Sequence, residues 1–146
     1  MKSTSLIVGE DGHIRVLAID PGVQTGFVLL REDGLVEATG TLSIEDLPSS
    51  VLTKYASRSD INVVVEKSPM PRLGKLGDQL RLCHAFVQQH FPEATLIPPG
   101  VWKQMTPVRK IDFGKVSTTR HQKDALHLAL YHLWHESGIL HEVHCL

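Results

Sequence analysis

Four residues able to bind a divalent metal ion lie at the ends of predicted structural elements. Asp20 and Glu66 each directly follow a run of apolar, β-branched residues, a pattern typical of a buried strand. His121 and Asp124 are three positions apart at the start of an amphipathic segment, so both side chains would lie on one helix face. Hard oxygen ligands gathered in this way suit Mg²⁺ or Mn²⁺, which also bind water and substrate phosphate.

This ligand set matches the hydrolysis of a phosphodiester with two metal ions. Carboxylates can hold the ions on opposite sides of the scissile phosphate, where one activates water and the other stabilises the leaving 3′ oxygen. We therefore predict a catalytic and metal-binding centre with two Mg²⁺ or Mn²⁺ ions, formed by Asp20, Glu66, His121 and Asp124. Gly22 permits a tight turn after Asp20, and Gly26 leaves room for a close backbone or phosphate.

A mixed sheet would bring these residues together. The patterns predict an antiparallel meander followed by two parallel strands; the five strands are Ile14–Asp20, Thr25–Arg31, Leu35–Thr41, Ile61–Glu66 and Thr95–Ile97. Helices are predicted within Ser43–Ser59, over Leu73–Gln89, over Gly100–Met105, and from an N-cap at Thr118 or Thr119 to His135, with Gly138 ending the last one. The fold class is thus α/β, with helices flanking the sheet.

Length and composition predict one globular domain. The chain has 146 residues, of which 42% are hydrophobic and 21% charged, the ordinary composition of such a domain. We predict an N-terminal extension over residues 1–13, the domain over 14–138 and a tail over 139–146. No apolar run resembles a signal peptide or a membrane span. Two unclustered cysteines favour reduced thiols, so a cytosolic, non-secreted protein is expected.

Basic residues are concentrated beside the acidic ones. The net charge of −1 by itself argues against nucleic-acid binding, which normally needs a basic surface. Its distribution argues for it, although a charge run can also be a solvated face. The predicted DNA-binding residues are Lys67, Arg72, Lys75, Lys103, Arg109, Lys110, Lys115, Arg120 and Lys123.

Three motifs together resemble the RuvC-like Holliday-junction resolvases of the RNase H-like superfamily. Asp20-Pro21-Gly22-Val23-Gln24-Thr25-Gly26 resembles their first acidic signature, Val63-Val64-Val65-Glu66 their second acidic strand, and His121-Gln122-Lys123-Asp124-Ala125-Leu126 the start of their final helix. The resemblance covers most of the predicted domain, from residue 14 to 134. A compact, nearly neutral chain would suit a phage-type member, acting in a bacterial or phage-infected cytosol.

The resemblance implies an RNase H-like fold and a homodimer that cleaves four-way DNA junctions symmetrically, leaving 5′-phosphate and 3′-hydroxyl ends. It implies that Asp20 bridges both metal ions and that Glu66 and Asp124 complete their coordination. His121 stands where family members carry Asp or His, and it either binds metal or orients water. The segment between Trp102 and His121 is shorter than in typical bacterial resolvases.

Other functions account for part of the pattern. A nuclease acting on RNA or RNA-DNA hybrids, such as the YqgF-type proteins of pre-rRNA processing, would use the same acidic residues. A DNA-binding module without catalysis would retain only the basic surface. A nucleotide-binding fragment of the actin and sugar-kinase type would need a second domain, for which the length is insufficient. Finally, the histidines and Cys145 of the tail resemble half of a zinc site, with His132 and His135 as further ligands.

Overall fold

A mixed sheet of six strands, in the order β5-β4-β1-β2-β3-β6, runs through the structure. The structure is a computed structural model that describes residues 5–67, 74–102 and 119–145. The strands are β1 (Arg15–Asp20), β2 (Gln24–Arg31), β3 (Leu35–Ser43), β4 (Asn62–Glu66), β5 (Thr95–Ile97) and β6 (His144–Cys145). β1, β2 and β3 are antiparallel neighbours, whereas β4 is parallel to both β1 and β5. The predicted α/β class and strand directions are confirmed.

The predicted count of five strands is wrong by one. β6 lies in the segment predicted to be a tail and pairs in parallel with β3, His144 opposite Leu35 and Cys145 opposite Val36. Two residues are too short a run to show an alternating pattern, so only the pairing with a distant strand reveals this element.

Helices cover both faces of the sheet. The helical elements of the described residues are a 3₁₀ helix (Ile44–Ser49), α1 (Leu52–Ala56), α2 (Lys75–His90), α3 (Pro99–Trp102) and α4 (Arg120–Ser137). The predicted continuation of α3 to Met105 lies outside the described residues, as does the predicted start of α2 at Leu73. None of the helices in the three described ranges is long and apolar enough to cross a membrane.

Alternation along β1 assigns its residues to two separate cores. Val16 and Ala18 belong to the core that α4 covers, while Leu17 and Ile19 belong to the core that includes Cys83 of α2. Since successive strand residues point to opposite faces, Asp20 continues the Val16 and Ala18 series. The same spacing places Glu66 of β4 on the α4 side, two residues after Val64, which lies in the α4 core.

Both ends of α4 have local signals that fix its length. Thr119 is the N-cap, and its hydroxyl accepts a hydrogen bond from the Gln122 backbone N–H at 3.1 Å. Gly138 ends the helix in the left-handed conformation, with φ of 75°, and donates its N–H to the Trp134 carbonyl. The prediction of these two caps from the sequence is confirmed.

Segments on either side of the predicted domain limits pack onto the sheet. Leu6 is buried in the α4 core, and the Asn62 side chain bonds both the N–H and the carbonyl of Ile7, at 2.7 and 3.0 Å. At the other end, the His144 N–H donates to the Gly34 carbonyl at 2.9 Å. The limits at residues 14 and 138 stay a prediction, but neither flank is detached from the core.

Substitution of Gly34 tests how closely the segment leading into β6 packs against the start of β3. Its φ is +93°, and a Cβ built there would lie 2.0 Å from the Glu142 carbonyl oxygen, whereas Gly12 has φ of +84° and nothing within 4 Å of its Cβ position. We expect Gly12→Ala to cost only the left-handed backbone strain, about 1–2 kcal/mol. Gly34→Ala should cost more and should accelerate amide exchange at His144. Equal losses in thermal unfolding would contradict this packing.

Candidate metal centre

Asp20 and Glu66 end two adjacent parallel strands at the same edge of the sheet. β1 and β4 pair residue by residue up to Ile19 opposite Val65, so each acidic residue is the next one along its strand. Neighbouring strands are about 4.8 Å apart. The Asp20 side chain is 11% exposed, and the Oε2 atom of Glu66 is buried. Two carboxylates thus lie side by side on the α4 face, largely shielded from water.

The first turn of α4 brings His121 to this edge. Ala125 and Leu128 are fully buried against the sheet, and they follow His121 and Asp124 by four residues each. Residues four apart lie on one helix face, so His121 and Asp124 continue the sheet-facing side of α4 toward the edge. His121 Nδ1 lies 3.7 Å from Asp20 Oδ2, and the His121 side chain is 39% exposed.

Gly26 allows this approach. It pairs with Asp20 across the β1–β2 ladder, and a Cβ built on it would lie 2.2 Å from the backbone carbonyl oxygen of His121. Real Cβ atoms do not come that close to another heavy atom. The absence of a side chain therefore lets the backbone of α4 rest directly on β2, which confirms the close approach predicted at Gly26.

The turn that follows Asp20 is held from the opposite face of the sheet. Thr25 is fully buried; its Oγ1 lies 3.3 Å from the Gly22 carbonyl, to which it donates, and 3.1 Å from the Sγ of Cys83 in α2. Burial raises the pKa of the Cys83 thiol, and the nearby negative charge of Asp20 adds to the effect. Cys83 is thus an uncharged packing partner for the turn, a role that no pattern in the sequence indicates.

The donor set suits a divalent metal ion in its chemistry, since carboxylate oxygens are ligands that Mg²⁺ and Mn²⁺ prefer. Two donors that bind one Mg²⁺ at about 2.1 Å lie about 3 Å apart when adjacent and about 4.2 Å apart when opposite. The separation of 3.7 Å between Asp20 Oδ2 and His121 Nδ1 lies between these two distances and equals neither, so the two side chains approach each other without the spacing of paired Mg²⁺ ligands. Moreover, no three His, Cys, Asp or Glu side chains of the described residues form a ready-made metal site. Glu66 and Asp124 are therefore not gathered with Asp20 and His121 into such a group.

Four of the predicted DNA-binding residues are described, and all four are exposed. Lys67 directly follows Glu66, Arg120 and Lys123 flank His121 in the first turn of α4, and Lys75 begins α2. Lys75 lies about 12 Å from Cys83 along the axis of α2. The other five, Arg72, Lys103, Arg109, Lys110 and Lys115, lie outside the described residues.

The tail does not assemble the zinc site that its composition suggests. His132 is buried in α4, and burial lowers its pKa, whereas His141, His144 and Cys145 are exposed. No metal-binding group of three such residues forms among the described parts of the chain.

Comparison with solved structures identifies the fold. Thermus thermophilus RuvC, solved in complex with a Holliday junction substrate, superimposes with a TM-score of 0.65 at 18% identity, covering 86% of this chain and 97% of RuvC. A second structure of Thermus thermophilus RuvC gives a TM-score of 0.61 at 19% identity, covering 86% and 98%. The chain has the fold of RuvC. No protein-family model matches the sequence, and no curated protein does so either.

The RuvC likeness extends over nearly the whole of the RuvC chains. The resemblance inferred from the three sequence motifs is thereby confirmed for the RNase H-like fold. At this level of identity the likeness shows architecture, and a phage-type origin stays a prediction.

Gly26→Ala tests whether the edge depends on the contact between α4 and β2. The added methyl group would displace the His121 backbone, so we expect a loss of stability of about 1–3 kcal/mol, the usual cost of overpacking, and faster amide exchange over residues 120–124. Gly100→Ala is the matched control, because nothing lies within 4 Å of its Cβ position. Unchanged exchange in Gly26→Ala, measured by mass spectrometry, would contradict the contact.

Proposed function

We propose that this protein is a metal-dependent endonuclease that resolves four-way DNA junctions. The observation that carries the proposal is the 3.7 Å approach of His121 to Asp20, at the sheet edge where Glu66 also ends. The fold adds support, since the RuvC structure that it resembles was solved in complex with a Holliday junction substrate.

Each residue of the edge has a proposed role. Asp20, the most buried of the four, would hold the metal ions together with Glu66 and Asp124. Bound Mg²⁺ or Mn²⁺ would supply an activated water and stabilise charge on the leaving 3′ oxygen, which gives 5′-phosphate and 3′-hydroxyl ends. His121 would either bind an ion or orient the attacking water, since its imidazole lies 3.7 Å from Asp20 and is partly exposed.

The exposed basic residues would hold the DNA at this edge. Lys67, Arg120 and Lys123 adjoin the proposed ligands in sequence, so a phosphate they bind lies next to the carboxylates. Such contacts add affinity without reading sequence, and they weaken with salt. Lys75, exposed at the start of α2, would contact the DNA backbone further from the carboxylates. Selectivity for branched DNA would then come from shape.

Symmetric resolution requires two cuts, and the described residues contain one set of these acidic side chains. We therefore propose that a homodimer acts on each junction, because a two-fold axis places two equivalent centres on opposed strands.

Cleavage assays test the proposal directly. The substrates are a mobile four-way junction, linear duplex, RNA-DNA hybrid and structured RNA, each with Mg²⁺, with Mn²⁺ and with chelator. We expect metal-dependent, paired cuts in the junction. Asp20→Asn, Glu66→Gln and Asp124→Asn should each lower the rate on the order of 100-fold or more, since a loss of several kcal/mol in charge stabilisation has that effect. Junction binding should largely remain.

Glu93→Gln provides the control, because Glu93 is exposed just before β5, at the opposite edge of the sheet. It should cut at the wild-type rate. Equal cleavage of linear duplex would refute junction selectivity, and a preference for RNA or the hybrid would instead identify an RNA-directed nuclease. Full activity in Asp20→Asn would exclude the proposed centre.

A further inference from the structure

Asp20, Gly26 and Thr41 form a row across three neighbouring strands. Asp20 of β1 pairs with Gly26 of β2, and Gly26 pairs with Thr41 of β3. The start of α4 lies over the whole row: His121 approaches Asp20, its backbone rests on Gly26, and Thr119 meets Thr41. Each strand therefore contributes one contact to the first turn of the helix.

A pair of hydroxyl groups makes the contact at the β3 end of the row. Thr41 Oγ1 and Thr119 Oγ1 are 3.0 Å apart, within hydrogen-bond distance, and either can be the donor. Thr119 Oγ1 also accepts from the Gln122 N–H at 3.1 Å, so one hydroxyl both caps α4 and joins it to the sheet. Both side chains are half-buried, which shields the bond from competing water.

The cap itself does not need Thr41, because Thr119 Oγ1 accepts from Gln122 in any case. Thr41 instead helps to fix where the first turn of α4 lies along the sheet. Gly26 determines how near the first turn of α4 comes to β2, but this contact with bare backbone has no preferred direction along the sheet. The hydrogen bond to Thr41 on a second strand does have one. The distance from His121 to Asp20 then depends on both contacts.

We propose that Thr41 and Thr119 are a positioning pair that holds the first turn of α4 so that His121 stays against Asp20. The inference rests on the proposed function, since it assigns the pair to the same metal centre. Neither threonine touches the reacting atoms; both act through the position of His121.

Thr39 offers a matched control on the same strand. Its Oγ1 donates to the Phe27 carbonyl at 3.0 Å, a bond within the sheet, two residues before Thr41. Thr39→Val and Thr41→Val remove the same group and keep a β-branched side chain suited to a strand. Thr41→Ser restores the hydroxyl that Thr41→Val removes.

The experiment measures Mn²⁺ affinity by calorimetry without DNA, and amide exchange over residues 120–124. Losing one hydrogen bond of ordinary strength corresponds to about 2- to 10-fold in an equilibrium constant. We expect Thr41→Val to weaken Mn²⁺ binding by about that factor and to accelerate exchange in the first turn. Thr41→Ser should restore both, and Thr39→Val should change neither.

A double-mutant cycle with His121→Ala separates positioning from general stability. If Thr41 acts through His121, Thr41→Val has no further effect on Mn²⁺ affinity once His121 is removed. An equal loss in both backgrounds, or equal effects of Thr41→Val and Thr39→Val, would overturn the inference.

Failure of the inference about Thr41 and Thr119 is distinguishable from failure of the proposed function. A wild-type protein that shows this Mn²⁺ pattern but cleaves no branched DNA would support the positioning pair and refute the proposed nuclease. Junction cleavage and Mn²⁺ binding that Thr41→Val leaves unchanged would refute the pair alone. A wild-type protein that binds no Mn²⁺ would refute both.

Discussion

The contact between the backbone of His121 and Gly26 is the constraint on which the candidate site depends. With a Cβ position only 2.2 Å from the His121 carbonyl oxygen, any side chain at residue 26 would lift the start of α4 off β2. The helix carries two of the four proposed ligands in its first turn, and another, Asp20, is the cross-strand partner of Gly26. The absence of a side chain at Gly26 thus lets the first turn of α4 lie next to Asp20 at the end of β1.

The two faces of the sheet have different roles near this contact. Asp20 and Glu66 point to the side of α4, where the chemistry is proposed. On the opposite face, Thr25 contacts both the Gly22 carbonyl and Cys83, and so stabilises the turn after Asp20. Because alternation along a strand is strict, moving β1 by one residue would turn Asp20 into the α2 core. The packing of both cores therefore fixes which way the acidic side chain points.

Local patterns in the sequence are sufficient to predict the strand ends, the α4 caps and the close backbone approach at Gly26. Asp20 and Glu66 follow strongly apolar runs, and Thr119 and Gly138 are residue types with a direct physical reason to end a helix. Contacts set by pairing between distant segments were not predictable in this way. Thr41 meets Thr119, and Cys83 meets Thr25, only because the strand register and the helix crossing place them together. The β6 strand is too short to leave a pattern.

The central proposal is that Asp20, Glu66 and the first turn of α4 bind the same divalent metal ion. Anomalous diffraction from crystals of the wild-type protein grown with Mn²⁺ measures this most directly. The account predicts an anomalous peak within coordination distance of an Asp20 carboxylate oxygen and of at least one of Glu66, His121 and Asp124. A peak that lies only at other residues, such as the tail histidines, or no peak at saturating Mn²⁺, would contradict it.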